Sequence, residues 1–203
     1  MSFKKILPIL KATLEHLEFE HPTPLQKKVL STVKSGANVF GIGPEGSGKS
    51  TALVLSVIQK LKGEAFGDAP RAIVLVKDKA EALALKAKFD VFTKPTDLRV
   101  YCIYDEHKID AQRDEIYVGT DILIATVKRL NKLYFLNSIH LTDVQLICIE
   151  DAQFLIRQKT YNDIMRLAES INKSQYAIFA DSFDSRLERF EEAFMFDAYK
   201  FEV

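Results

Sequence analysis

Gly43-Pro44-Glu45-Gly46-Ser47-Gly48-Lys49-Ser50 fits the pattern G-x-x-x-x-G-K-[ST], and its surroundings decide how it is read. A short apolar run, Val39–Ile42, leads in, and a helical pattern over 49–61 leads out. In that context the glycines let backbone N–H groups turn inward as an anion nest, and the helix N-terminus adds partial positive charge. Lys49 is placed to reach the β and γ phosphates of a nucleotide, and the Ser50 hydroxyl to take a position on Mg²⁺. The candidate cradle is therefore Gly43, Glu45, Gly46, Ser47, Gly48, Lys49, Ser50 and Thr51. The bland alternative is a glycine-rich turn with an incidental lysine, and the flanking strand and helix argue against it.

Working outward, strand-like runs fall at 38–42, 72–77, 99–104, 121–126, 145–150, 175–180 and 198–203. Most are continuously apolar rather than alternating, as in parallel strands buried on both faces. Helical patterns lie between them at 49–61, 78–92, 126–136, 152–171 and 185–196. The 152–171 segment carries Leu155, Ile156, Ile164, Leu167, Ala168 and Ile171 as one apolar stripe. Such alternation predicts an α/β fold with a mainly parallel sheet of about seven strands flanked by helices. No internal repeat is visible, and residues 1–203 read as one domain, with 1–36 ahead of a 37–203 core. Within 1–36, Phe3, Ile6, Leu7, Leu10, Leu14 and Leu17 form an amphipathic helical stripe. Pro8 fits it if placed in the first turn. A second helix is expected from Pro24 at N1, behind Thr23 as N-cap, to Gly36.

The charge balance is 28 Lys plus Arg against 28 Asp plus Glu. A surface acting as a whole as a polyanion trap is thereby excluded, though a local basic groove is not. Apolar runs are far shorter than the ~20 residues of a membrane helix. Met1-Ser2-Phe3-Lys4-Lys5 leads into a helical pattern without the apolar region of a signal peptide, so a cytoplasmic protein is expected. Cys102 and Cys148 lie in apolar strands and read as buried thiols. The four histidines show no metal spacing.

Ahead of the phosphate loop, Phe19 is followed by His21-Pro22-Thr23-Pro24-Leu25-Gln26, with Gln26 lying 23 residues before Lys49. This run resembles the Q motif of the DEAD-box RNA helicases. The resemblance covers the whole chain as the first RecA-like domain of that P-loop NTPase family. It implies ATP as the nucleotide, with Gln26 on the adenine edge and Phe19 packed on the base. A Gln amide donates and accepts at once, which suits adenine N6 and N7. Ala72–Val76 resembles the strand before the family's P-T-R-E-L-A motif, with Lys79 where the family has Arg. The stretch from Asp121 to Leu130 is similar to D-I-L-V-A-T-P-G-R-L. The resemblance makes Lys79, Thr126, Lys128 and Arg129 RNA-contacting candidates, while Lys128, Arg129 and Lys132 read equally well as a solvated helix face.

Four departures qualify that likeness. Asp105-Glu106 follows Tyr104 where the family has a glycine pair, placing carboxylates where phosphate would approach. The family's D-E-A-D, an Asp on Mg²⁺ and a Glu orienting water, corresponds to Glu150-Asp151-Ala152-Gln153. Here Glu150 becomes the metal acid beside Ser50, and Asp151 a shortened base. A misplacement on the order of 1 Å costs roughly 10²-fold in rate. The family's S-A-T corresponds to Ala180-Asp181-Ser182, where Ser182 keeps one coupling hydroxyl. The chain stops at Val203, and the resemblance assigns the arginine finger to a second RecA-like domain that this sequence does not supply. Such a finger is worth about 10³–10⁵ in turnover.

Two functions follow as expectations. One is an ATP-binding, RNA-binding helicase-like domain with weak or absent activity alone, partnered by RNA and by a second RecA-like domain or another protein. The other is a non-catalytic module in which ATP gates binding of a protein or RNA. A P-loop kinase leaves the Q-like run unexplained. Residues 181–203 carry three basic and seven acidic side chains, a solvated acidic helix or a docking face for a basic partner.

Overall fold

The structure, a computed structural model, describes residues 6–158, 160–171 and 173–203, without the side chains of 156–158. Phe3 and the Met1–Lys5 segment lie outside the described residues, as does the Ile156 side chain.

All seven expected strands form, and they join one sheet. They are β1 (Val39–Ile42), β2 (Ala72–Val76), β3 (Val100–Ile103), β4 (Ile122–Thr126), β5 (Leu146–Ile149), β6 (Gln175–Ala180) and β7 (Tyr199–Glu202). Their order is β3-β4-β2-β5-β6-β1-β7, and every pairing is parallel. Every residue of β1, β2, β4, β5 and β6 is buried, because successive side chains enter opposite core layers. Val74, Ile124, Cys148 and Phe179 face one layer, and Ile73, Leu123, Ile147 and Ile178 face the other.

The first layer is covered by α1 (Pro8–His16), α2 (Pro24–Ser35), α3 (Lys49–Lys60) and α4 (Lys79–Thr93). Pro8 sits in the first turn of α1, where its missing N–H costs nothing. In α2, Thr23 and Gln26 form a reciprocal capping box, Pro24 begins the helix, and Gly36 ends it in the left-handed region at φ +89°.

The second layer is covered by α5 (Ile109–Val118), α6 (Val127–Phe135), α7 (Gln153–Gln158), α8 (Tyr161–Ser170) and α9 (Ser185–Phe194). Helix α5 was not among the sequence expectations, because only Gln112 and Ile116 of it are buried and its apolar stripe is thin. The single helix expected over 152–171 is two. Thr160 precedes α8 without a side-chain capping hydrogen bond, its Oγ1 buried and unpartnered, and Asp163 lies in the first turn. Among the described residues no helix is long and apolar enough to cross a membrane.

Candidate nucleotide and nucleic-acid site

All the strands being parallel, their C-terminal ends share one edge, where open α/β sheets place ligands. The loops after β1, β5 and β6 carry the phosphate loop, Glu150-Asp151 and Asp181-Ser182. Those after β2 and β4 carry Lys77-Asp78-Lys79 and the start of α6. Two clefts result.

The larger, of about 760 Å³, is lined by Phe19, Thr23, Gln26, Glu45, Gly46, Gly48, Lys49, Ser50, Thr51, Glu81, Ala84, Leu85, Lys88, Glu150, Asp151 and Asp181. The sequence-predicted nucleotide residues thus converge, apart from Gly43 and Ser47, which shape the loop from beneath. A Cβ on Gly43 would meet Ser47 Oγ at 2.9 Å and Val203 Cγ2 at 2.6 Å. Gly46 and Gly48 hold φ of +83° and +93°, which glycine adopts without a steric penalty. Ser47 Oγ is buried with no hydrogen-bond partner. The glycine conformations and the start of α3 fit a bound polyphosphate.

Thr23 and Gln26 buttress the loop. Thr23 Oγ1 donates to Ser47 O at 3.0 Å, and Gln26 Nε2 donates to Gly48 O at 3.4 Å. Gln26 Oε1 accepts from Thr23 N at 3.0 Å, so both ends of its amide are engaged within the protein. Phe19 stands exposed at the rim.

Lys49 Nζ donates to Gly43 O and to the Asp181 carboxylate. Ser50 hydrogen-bonds the Glu150 carboxylate. Burial pushes the Glu150 pKa up, partly offset by that hydrogen bond and by Lys88. Asp151 adopts φ +49° and keeps one buried carboxylate oxygen without a partner. Among the described residues no group of three or more His, Cys, Asp or Glu forms a self-sufficient metal site. Ser50 and Glu150 still fit Mg²⁺, which is commonly held by one or two carboxylates with phosphate and water.

Glu81 and Lys88 were missed by sequence reasoning. Glu81, Ala84, Leu85 and Lys88 form the face that α4 turns to the cleft, and only their helical spacing could have indicated it. Burial also raises the Glu81 pKa, although its carboxylate accepts from Lys77 N at 3.1 Å.

The smaller cleft, about 270 Å³, is lined by Lys77, Asp78, Lys79, Asp105, Glu106, Thr126, Val127, Lys128 and Thr160. In place of a Pro-Thr pair, Asp78 caps α4 by accepting from Glu81 N at 3.0 Å. Lys79 Nζ lies 5.3 Å above the Tyr104 ring, and Lys77 pairs with Asp78 at 3.5 Å. Asp105 faces Lys128 at 3.8 Å and Arg129 at 3.7 Å. Arg129 itself is buried, its guanidinium donating to the carbonyls of Asp105 and His107. Its visible task is to hold the loop before α5, whereas Lys128 is open to solvent. Thr126 Oγ1 is buried without a partner, and Ser182 is exposed beside the larger cleft.

Comparison with known proteins places these features. Residues 23–189 match the DEAD/DEAH box helicase family. The chain is 31% identical over 160 residues to the ATP-dependent RNA helicase DBP10 of Meyerozyma guilliermondii, covering 79% of this chain and 17% of that protein. It is 24% identical over 196 residues to the pre-mRNA-processing ATP-dependent RNA helicase PRP5 of the same organism, covering 93% of this chain and 23% of that one. The chain therefore spans about a fifth of the length of these relatives. In fold it is similar to a DEAD box protein from the hyperthermophile Methanococcus jannaschii, with TM-score 0.92 and 17% identity, over 100% of this chain and 56% of that one. The yeast DEAD-box splicing factor Prp28 aligns with TM-score 0.89 and 19% identity, over 98% and 50% of the two chains. With the phosphate loop, the Thr23–Gln26 buttress and this match over most of its length, the chain belongs to the DEAD/DEAH box helicase family.

Proposed function

We propose that this domain binds ATP with Mg²⁺ in the larger cleft and contributes one wall of an RNA-binding surface through the smaller one. The observation that carries the reading is the convergence of Lys49, Ser50 and Glu150 at a loop whose glycines, Gly46 and Gly48, hold the left-handed conformations that suit phosphate. Phe19 packs on the base, and Gln26 keeps the loop with one N–H and one Oε1 lone pair while the second of each meets the adenine edge. Lys49 and the loop N–H groups bind phosphate oxygens, while Ser50 and Glu150 hold Mg²⁺. Bound Mg²⁺ neutralises phosphate charge during phosphoryl transfer. Asp151 orients water from a shorter reach than Glu would give. Lys79, Thr126 and Lys128 meet the RNA backbone, and Ser182 couples the two clefts. Unwinding needs a second RecA-like domain to complete the cleft.

A second reading, a nucleotide-gated interaction module without turnover, is favoured by the Glu150-Asp151 order and by the carboxylate of Asp181 on Lys49. ATP turnover with and without single-stranded RNA, beside Lys49→Ala, separates the two. RNA-stimulated turnover above that control supports the enzyme. Turnover equal to it, with ATP bound, supports the module.

A further inference from the structure

The residue after β6 sits on the phosphate-loop lysine, and this follows from the sheet. Strands β1 and β6 pair in register Ile42↔Ala180, so Gly43 and Asp181 leave the sheet side by side. Gly43 N donates to Ala180 O at 3.0 Å, tying the root of the loop to that strand end. Gln153 fixes the other side, its Oε1 accepting from Asp181 N at 3.0 Å and its Nε2 donating to Ser182 O at 3.2 Å. Backbone held from both sides directs the Asp181 carboxylate to Lys49 Nζ, whose other partner is Gly43 O. The family pattern has alanine at this position, which could neither pair with Lys49 nor repel an anion.

We propose that Asp181 sets nucleotide selectivity, making the cleft favour a nucleoside diphosphate over the corresponding triphosphate. The inference rests on the nucleotide-binding reading above and adds to it a discriminating side chain. Lys49 serves both β and γ phosphates in that reading. With a diphosphate, Asp181 remains on Lys49 in place of the missing γ phosphate, and the charges balance. With a triphosphate, the γ phosphate competes for the same ammonium and meets the carboxylate as a like charge. The Lys49 side chain is only 12% exposed, so it has few alternatives; Asp181 is 56% exposed, so it can swing into water and the effect is bounded.

The test is equilibrium titration of ADP and ATP, each with Mg²⁺, against the full chain, Asp181→Ala and Asp181→Asn. Asp181→Ala is expected to tighten ATP on the order of tenfold while moving ADP several-fold less, with Asp181→Asn following it. A surface variant with the same charge change, Glu192→Gln, should keep the wild-type ATP-to-ADP ratio. Equal shifts for both nucleotides, unchanged ATP affinity or weakened ATP would overturn the assignment. Failure of the wild-type chain to bind either nucleotide would overturn the nucleotide-binding reading itself, and this inference with it.

Discussion

Gln26 Nε2 lies 2.5 Å from where a Cβ on Gly48 would stand, so the capping residue of α2 and the phosphate loop are fitted to each other. Gly48 also holds φ +93°, a conformation that strains any L side chain. Gly48→Ala is therefore expected to cost roughly 1–3 kcal/mol and to displace the loop. Urea unfolding reads the first effect and nucleotide titration the second. Full stability with native affinity would mean that loop and helix separate freely.

Arg129 and Lys128 are adjacent in sequence and opposite in exposure, the first buried and the second open to solvent. Removing the buried Arg129 guanidinium leaves the Asp105 and His107 carbonyls without their donor. Arg129→Ala should destabilise by about 1–3 kcal/mol. Lys128→Ala should change stability by less than about 0.5 kcal/mol. It should also weaken RNA binding uniformly across sequences and lower the salt slope by about one. Unfolding curves and RNA titrations at several salt concentrations distinguish the two roles.

Far from the clefts, Asp121 is fully buried between Arg71 at 2.7 Å and Arg99 at 2.9 Å. Burial pushes its pKa up, but hydrogen bonds from Arg99, Phe66 N–H and Arg71 outweigh that and hold it below the ordinary carboxylate value. The folded chain then binds its proton less tightly than the unfolded chain, so the stabilisation is present above an Asp pKa of about 4 and fades below it. Asp121→Asn should cost about 3 kcal/mol at neutral pH, with the deficit shrinking as the pH falls through the depressed folded value. A deficit independent of pH would point to packing rather than charge.

Glu150 behaves in the opposite sense. Its pKa is raised chiefly by burial, so the ionised carboxylate burdens the ligand-free fold at neutral pH, and protonation relieves it as the pH falls. Glu150→Gln should raise the unfolding temperature of the free chain at pH 7, an advantage lost as the pH drops through the raised folded value towards the ordinary Glu pKa. The same variant should lose the Mg²⁺ dependence of ATP binding. A lower unfolding temperature at pH 7 would count against this account.

The sheet was legible because five of its strands, β1, β2, β4, β5 and β6, are apolar on both faces, and the Thr23–Gly36 helix because its cap, proline and glycine stand in order. Cys102 and Cys148 were legible as buried thiols for the same reason, and burial pushes the Cys102 pKa up to about 12. Other features depend on distant partners. Arg129 and Lys128 look alike until β3 and β4 bring the 105–107 loop over one of them. The contact between Lys49 and Asp181 arises only from the pairing of β1 with β6, which no local pattern reports. Helix α5 was missed because two buried residues leave little periodicity to read.

The most direct test is equilibrium binding of ATP with Mg²⁺ to the chain and to Lys49→Ala. Saturable binding at one site is expected, weakened at least about tenfold by the substitution, since a charge-assisted lysine–phosphate contact is worth roughly 1.5–3 kcal/mol. Equal binding by the two proteins, or none by the wild type, would contradict it.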